Sequence, residues 1–303
     1  MPILPYTLID VFTDQPFGGN QLAVFQPEAE LPKELMQKIA RELNLSETVF
    51  LYPAANQENT RKLRIFTPKM ELPMAGHPTI GAAFVLADTA PGLPHTGMVS
   101  WMFEEQVGVL SVTVHRKDGG TIRTEMKQPV PGFEEPFQDR QLAAHLLSVT
   151  EEDLHESRPV QTVSSGVPFL YIPLRSLDAV KRISFRLDVW EQQFSGLDIF
   201  AFATETVHSD SSVHSRMFAP AMGIPEDPAT GAASGPLGAY LTRHGIIPFN
   251  DMGIARIRSE QGIELGRPSF IDITIAKSGN GIKEVTIGGQ SVVIGKGEIY
   301  IKG

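Results

Sequence analysis

The chain of 303 residues contains no cysteine. That absence removes disulfides, thiolate metal ligands and every thiol mechanism. Any acid–base chemistry falls to carboxylates, histidines and hydroxyls. Long apolar runs are missing as well: no stretch approaches the ~20 residues that span a bilayer. Basic runs are missing too. The 26 Lys and Arg are outnumbered by 35 Asp and Glu, for a net charge of −9, which argues against a nucleic-acid partner. The opening MPILPYTLIDVF lacks a basic n-region, an apolar core and a small-residue cleavage site, so it reads as a first strand rather than a signal peptide. No P-loop and no dinucleotide glycine motif occurs. Gly231-Ala232-Ala233-Ser234-Gly235 is not the G-x-S-x-G elbow of a hydrolase. A cytoplasmic protein with no nucleic-acid and no membrane partner is the expectation.

What is present suffices for about two domains of ~150 residues each, and a hydrophobic content of 42% can fill their cores. The chain also repeats itself. RIFTPKMELPMAGHPTIGAAFVL begins at Arg64, and RMFAPAMGIPEDPATGAASGPLGAYL begins at Arg216. Both open Arg-x-Phe-x-Pro, both carry a polar residue before proline (His77-Pro78, Asp227-Pro228), and both continue to Gly-Ala-Ala at Gly81 and Gly231. The offset is 152 at the arginines (216 − 64) and 150 at His77 and Asp227 (227 − 77), about half the chain. A weaker echo links Ser46–Tyr52 (SETVFLY) to Ser165–Tyr171 (SGVPFLY), with extra helical-looking residues at 175–198 in the second copy. Internal duplication is the reading that co-linear order supports.

Alternation marks strands at 63–67 and 214–218. Residues 79–87 form an apolar run behind Pro78, suited to a buried helix. Residues 229–243 form the matching helix, in which Pro236 is expected to introduce a kink or delay the regular start. Lys33–Leu43 has amphipathic helical spacing. Strands are expected over 98–127, with a turn at 117–120. A meander is expected over 270–301, with turns at 278–281 and at Gly288-Gly289.

A helix N-terminus exposes unpaired N–H groups and the positive end of its dipole, so it attracts carboxylates. Two duplicated halves can set two such starts opposite one another, with His77 and Asp227 flanking a cleft that takes a small carboxylate. Each residue also has a plainer reading. Asp227 suits an N-cap, His77 a satisfied structural histidine, and Glu226 a solvated carboxylate. His208, Asp210 and His214 are a conceivable metal set in a Ser-rich loop.

The chain resembles the phenazine-biosynthesis PhzF-like isomerases, which share the diaminopimelate epimerase fold. The matching segments are DVFT at 10–13, PFGGN at 16–20, NLSETVF at 44–50, RIFTP at 64–68, AGHPTIGAA at 75–83, EDPATGAA at 226–233, and Gln261-Gly262 with GRPS at 266–269. The resemblance implies an α+β fold of two pseudo-symmetric halves, each a β-barrel around a central helix, with the active site between them. Those halves fall at 1–118 plus 285–303 and at 119–284. It also implies a homodimer and a cofactor-independent isomerase that moves a proton between carbons of a small cyclic or unsaturated carboxylic acid.

The resemblance implies that Glu47, in its S-E-T segment, is the general acid/base. Taken alone, Glu47 is only a charge entering a strand. By the same resemblance His77 and Asp227 orient the substrate and relay protons, Gly76, Gly231 and Ala232 offer backbone N–H groups, and Thr230 and Ser234 are the nearby hydroxyls. No metal is implied. Two departures stand out. The phenazine enzyme has serine five positions after its aspartate, where this chain has Ala232, which leaves the phenazine substrate open. Related thiol epimerases use a cysteine pair, and Ala75 stands where the first would lie. A non-catalytic metabolite-binding or protein-interaction member of the same fold is the alternative.

Overall fold

The computed structural model describes residues 3–89, 96–117, 122–279 and 281–301. The chain divides into two compact units, Met1–Lys127 with Gly288–Gly303, and Gln128–Ile287.

The first unit holds β1 (Ile3–Val11), β2 (Asn20–Phe25), α1 (Lys33–Leu43), β3 (Glu47–Pro53), β4 (Arg61–Phe66), β5 (Glu71–Leu72), α2 (Gly76–Thr89), β6 (Gly97–Glu105), β7 (Gly108–Arg116) and β8 (Ile122–Gln128). Pairing is antiparallel for β1–β2, β3–β4, β6–β7 and β7–β8, and parallel for β2–β3 and β4–β6. The last strand of the chain, Gly281–Tyr300, pairs with both β1 and β8 and so closes an eight-stranded barrel. The two parallel pairs need crossovers, and α1 and α2 supply them.

The two helices differ in kind. Met36, Ile39 and Ala40 of α1 are buried against Phe25, Phe50 and Phe66 of the barrel wall, while the opposite side of α1 is wet. By contrast, α2 is buried continuously from Gly76 to Ala87, as a helix enclosed by a barrel must be. Gly81 lets it approach: a Cβ there would lie 2.5 Å from Leu22 Cδ2 and 2.9 Å from Ile9 Cδ1.

The second unit holds β9 (Gly132–Pro136), α3 (Arg140–Leu146), β10 (Gln161–Ser164), β11 (Pro168–Pro173), α4 (Leu177–Lys181), α5 (Leu187–Val189), β12 (Asp198–Ala203), β13 (Val213–Ala219), β14 (Ile224–Asp227), α6 (Gly231–Arg243), β15 (Ile254–Gln261), β16 (Ser269–Ser278) and the start of β17 (Gly281–Tyr300). From β10 onward it runs through the same succession of pairings as the first unit does from β1. β10–β11 is antiparallel, β11–β12 parallel, β12–β13 antiparallel, β13–β15 parallel and β15–β16 antiparallel. The helical residues expected at 175–198 are α4, α5 and a π-helical turn at Trp190–Phe194, which pack on Ile172, Ile199 and Phe218.

Several expectations change. The succession puts β12, not β11, in the place of β3, so SETVFLY and SGVPFLY do not mark like positions. Their likeness is that of two buried apolar strands. There is no turn at Gly288-Gly289, because β17 runs unbroken through both. Gly288 is needed there for close approach, since a Cβ would lie 2.6 Å from Glu125 Cγ and 2.7 Å from Thr124 O. Pro236 lies inside α6, which starts five residues earlier at Gly231. The turn at 117–120 and that at 278–281 include residues outside the described ones. No described helix is long and apolar enough to cross a membrane.

Candidate active site

In the first unit Glu47 opens β3, opposite Leu22 of β2 in the parallel ladder. It is 7% exposed. His77 is the second residue of α2 and 3% exposed. The enclosing barrel buries the start of α2 with the rest of it, and this brings the two together: His77 Nε2 lies 3.3 Å from Glu47 Oε2. The two atoms are in close contact without the alignment of a hydrogen bond. On the other side of the ring, Nδ1 is 3.4 Å from the Asn20 amide. Burial holds His77 down to about 3, against the opposing effect of a hydrogen bond with the Gln21 backbone. The imidazole is therefore neutral at pH 7, with one nitrogen able to accept a proton and one able to donate.

A second carboxyl serves the start of α2. Glu105, the last residue of β6, accepts hydrogen bonds from the Thr79 hydroxyl and the Ala75 backbone. Burial outweighs both and pushes it up to about 8, so it is mostly protonated at neutral pH. Gly76 follows as the first residue of α2.

In the second unit the adjacent acids Glu226 and Asp227 end β14 and take different tasks, because successive strand residues face opposite ways. Glu226 is not solvated. It makes a bidentate pair with Arg216 at 2.8 and 2.7 Å. Asp227 is 4% exposed and accepts a hydrogen bond of 2.7 Å from the Thr230 hydroxyl. Thr230, not Asp227, is the N-cap residue of α6. Gln261, at the end of β15, fastens this turn: its amide N donates to the Asp227 carbonyl at 2.7 Å and to the Thr230 hydroxyl at 3.0 Å, and its oxygen accepts from the Thr230 N–H at 3.2 Å. Gly231 opens the helix, and its carbonyl accepts from Gln128. Ala232 is partly exposed beside it. The Ser234 hydroxyl is buried and donates to the Thr230 carbonyl at 2.8 Å, one turn back. Asp198, which opens β12, is buried at 5% exposed and carries the electrostatic influence of Asp227.

His208, Asp210 and His214 do not converge. His214 is buried between Glu260 at 2.8 Å and Glu264 at 2.9 Å, His208 bonds Glu260 at 3.1 Å, and Asp210 pairs with Arg258. Among the described residues no group of three His, Asp or Glu is arranged to hold a metal ion.

Asn20, Glu105, Asp198 and Gln261 were not assigned roles from the sequence. Asn20 and Gln261 lay inside segments that carry the family resemblance. Asp198 had a faint signal, an acid opening an apolar run as Glu47 does. Glu105 had none.

Each unit thus sets buried acids beside the start of a buried helix. Residues 9–297 match the family model for phenazine biosynthesis-like proteins. An uncharacterized isomerase of Mesorhizobium japonicum is 36% identical over 98% of both chains. The trans-2,3-dihydro-3-hydroxyanthranilate isomerase of Pseudomonas fluorescens is 33% identical over 98% of this chain and 99% of that one. The crystal structure of a PhzF-family phenazine biosynthesis protein of Bacillus anthracis superposes with a TM-score of 0.89 at 25% identity, covering 99% of this chain and 100% of that one. The chain belongs to the phenazine biosynthesis-like family, and it is an isomerase of the PhzF type.

Proposed function

We propose that the chain is a cofactor-independent isomerase that moves a proton between two carbons of a small cyclic or unsaturated carboxylic acid. The observation that carries this reading is the buried Glu47 carboxyl beside a neutral His77. Glu47 takes the proton of a C–H bond, the bonding electrons pass into the neighbouring unsaturated system, and the carboxyl, whose proton exchanges with solvent, returns a proton to a second carbon. Carboxyls serve as general acids and bases, and Glu47 is buried against an imidazole. His77 steadies the proton on Glu47 and is itself oriented by Asn20.

Asp227, held by Thr230 and Gln261, is suited to bind an amino or hydroxyl group of a substrate. The N–H groups at the two helix starts, Gly76 in one unit and Gly231 with Ala232 in the other, are each suited to a carboxylate. Ser234, whose hydroxyl bonds the Thr230 carbonyl, supports the turn. In this reading the chain is an internal duplication, as the shared succession of pairings supports.

The test is solvent proton exchange. The protein is incubated in D₂O with trans-2,3-dihydro-3-hydroxyanthranilate and a panel of small cyclic and unsaturated acids, beside Glu47→Gln, and followed by NMR. Deuterium incorporation that needs Glu47 is expected. Incorporation that persists in Glu47→Gln would remove Glu47 from the mechanism.

A further inference from the structure

We propose that a cavity at the far end of α6 is a binding site for a small organic carboxylate with a flat apolar body. The cavity lies wholly within the second unit, and the proposal does not depend on the isomerase reading above.

The cavity measures about 400 Å³, within the range of small-molecule sites. Its walls are apolar. Val130 and Pro131 lead into β9, Phe133 lies on β9, Phe249 lies between α6 and β15, and Ile282 is at the start of β17. Two cations line it as well, Arg243 from the last turn of α6 and Lys277 from the end of β16. Among the described residues no acid lines it. Each cation lies over one of the cavity's own rings. The Arg243 guanidinium is 4.2 Å from the centre of Phe133, and Lys277 Nζ is 5.0 Å from that of Phe249.

The surrounding backbone holds these groups in place. Gly253, at a φ of +73°, leaves room for the Lys277 stem, since a Cβ there would lie 3.1 Å from Lys277 Cγ. Its carbonyl accepts from the Lys277 N–H at 2.9 Å. The Asn250 side chain accepts from the Met252 and Ile254 N–H groups at 3.0 and 2.9 Å, which fixes the turn between Phe249 and β15. Phe133 is held on the sheet opposite Val163 of β10.

A cation at a helix C-terminus answers the helix dipole, which accounts for Arg243 alone. It does not account for a second cation, from another element, in the same cavity of a chain whose net charge is −9. Arg182, Arg186, Arg216 and Arg258 of the same unit all have carboxylate partners. Among the described residues Arg243 and Lys277 have none. Two cations without a counter-charge select an anion, and a planar guanidinium meets a carboxylate fork to fork. The apolar walls take the body of the ligand, which favours an organic carboxylate over bare phosphate. The site is separate from the start of α6. Arg243 ends the helix that Gly231 begins, roughly 18 Å away at 1.5 Å per residue.

The test is a titration of the full chain, labelled with ¹³C at its Ile and Val methyls, followed by NMR. The probes are benzoate, the neutral benzamide and inorganic phosphate. Benzoate is expected to shift the Val130 and Ile282 methyls and to saturate, with benzamide and phosphate each weaker by roughly tenfold or more, the worth of one hydrogen bond to a charged group. Arg243→Gln and Lys277→Gln are each expected to weaken benzoate by a similar factor and to leave the rest of the methyl spectrum and any exchange activity unchanged. Glu47→Gln is expected to leave the Val130 and Ile282 shifts as they are. No saturable shift of these methyls at millimolar benzoate would overturn the site. Benzamide binding as well as benzoate would overturn the role of the cations, and phosphate binding as well would overturn that of the apolar walls. Methyls of Val130 and Ile282 that move on dilution without any probe would mean that a second copy of the chain fills the cavity, and would overturn the ligand site.

Discussion

The two units keep the same fastenings and differ in the buried acids and bases beside their helix starts. Arg64 clamps Glu71 with two bonds at 2.8 and 3.0 Å, and Arg216 clamps Glu226 at 2.8 and 2.7 Å. Each guanidinium lies over the phenylalanine two residues on, at 5.5 Å from Phe66 and 5.3 Å from Phe218. Glu104 accepts the Ala55 and Asn56 N–H groups at the loop after β3, as Glu260 accepts those of Val207 and His208 after β12. One residue further on, Glu105 and Gln261 each fasten the start of a helix. Against that constancy, Glu47 with His77 stands in one unit and Asp198 with Asp227 in the other. Groups that hold backbone have little freedom to vary, because a lost partner leaves a buried N–H or charge unsatisfied. Groups that face a substrate vary with the chemistry. The comparison teaches where to look for function: at like positions that disagree.

The sharpest way to break it is catalytic. Glu47→Gln is expected to cost roughly 10²- to 10⁴-fold in the exchange rate, the usual worth of a general acid/base. Asp227→Asn is expected to raise KM more than it lowers kcat, since it removes a binding contact. Equal effects on kcat would mean that both units carry chemistry. The next test concerns the fastenings. Arg216→Met strands Glu226 and two carbonyls in a buried setting, and about 3–5 kcal/mol of stability should be lost by urea unfolding. Arg64→Met should cost less, because Lys33 still pairs with Glu71 at 2.9 Å. A larger loss for Arg64→Met would show that the two clamps are not equivalents.

Much of this was legible in the sequence, and the failures have physical reasons. α1 matched its amphipathic spacing residue for residue, because one face is wet and the period shows. α2 and α6 were legible from Pro and Gly-Ala-Ala rather than from period, since helices buried all round have none. Glu47 and His77 came from the resemblance and the repeat, and the structure brings them to 3.3 Å. The Gly288 turn failed because a glycine that admits a neighbouring strand looks like one that bends the chain. Glu105 was invisible because its role depends on β6 ending beside the start of α2, a contact no local pattern records.

The smallest effects lie in the pH dependence of stability, where two buried groups of one unit have opposite signs. His77 falls from 6.5 unfolded to about 3 folded. Between those values the unfolded chain binds the extra proton, so stability rises with pH and is lost as pH falls towards 3. Glu105 rises from 4.5 unfolded to about 8 folded. Between those values the native state binds the extra proton, so stability falls as pH rises and the contribution is gone above 8. Each slope is at most about 1.4 kcal/mol per pH unit, and from 4.5 to 6.5 the two cancel. The slope of each variant is read against the wild type by urea unfolding at pH 4.5, 6.5 and 8, so other groups drop out. His77→Gln should make the slope more negative only below 6.5, and Glu105→Gln should make it more positive up to 8. Gln261 stands at the Glu105 position of the other unit as an amide that cannot titrate, so Glu105→Gln also asks whether a helix start needs a carboxyl there at all. Exchange activity retained by a protein that has become more stable at pH 8 would show that the Glu105 proton serves folding alone, and a loss of exchange with the fold intact would place it in the proton path beside Glu47.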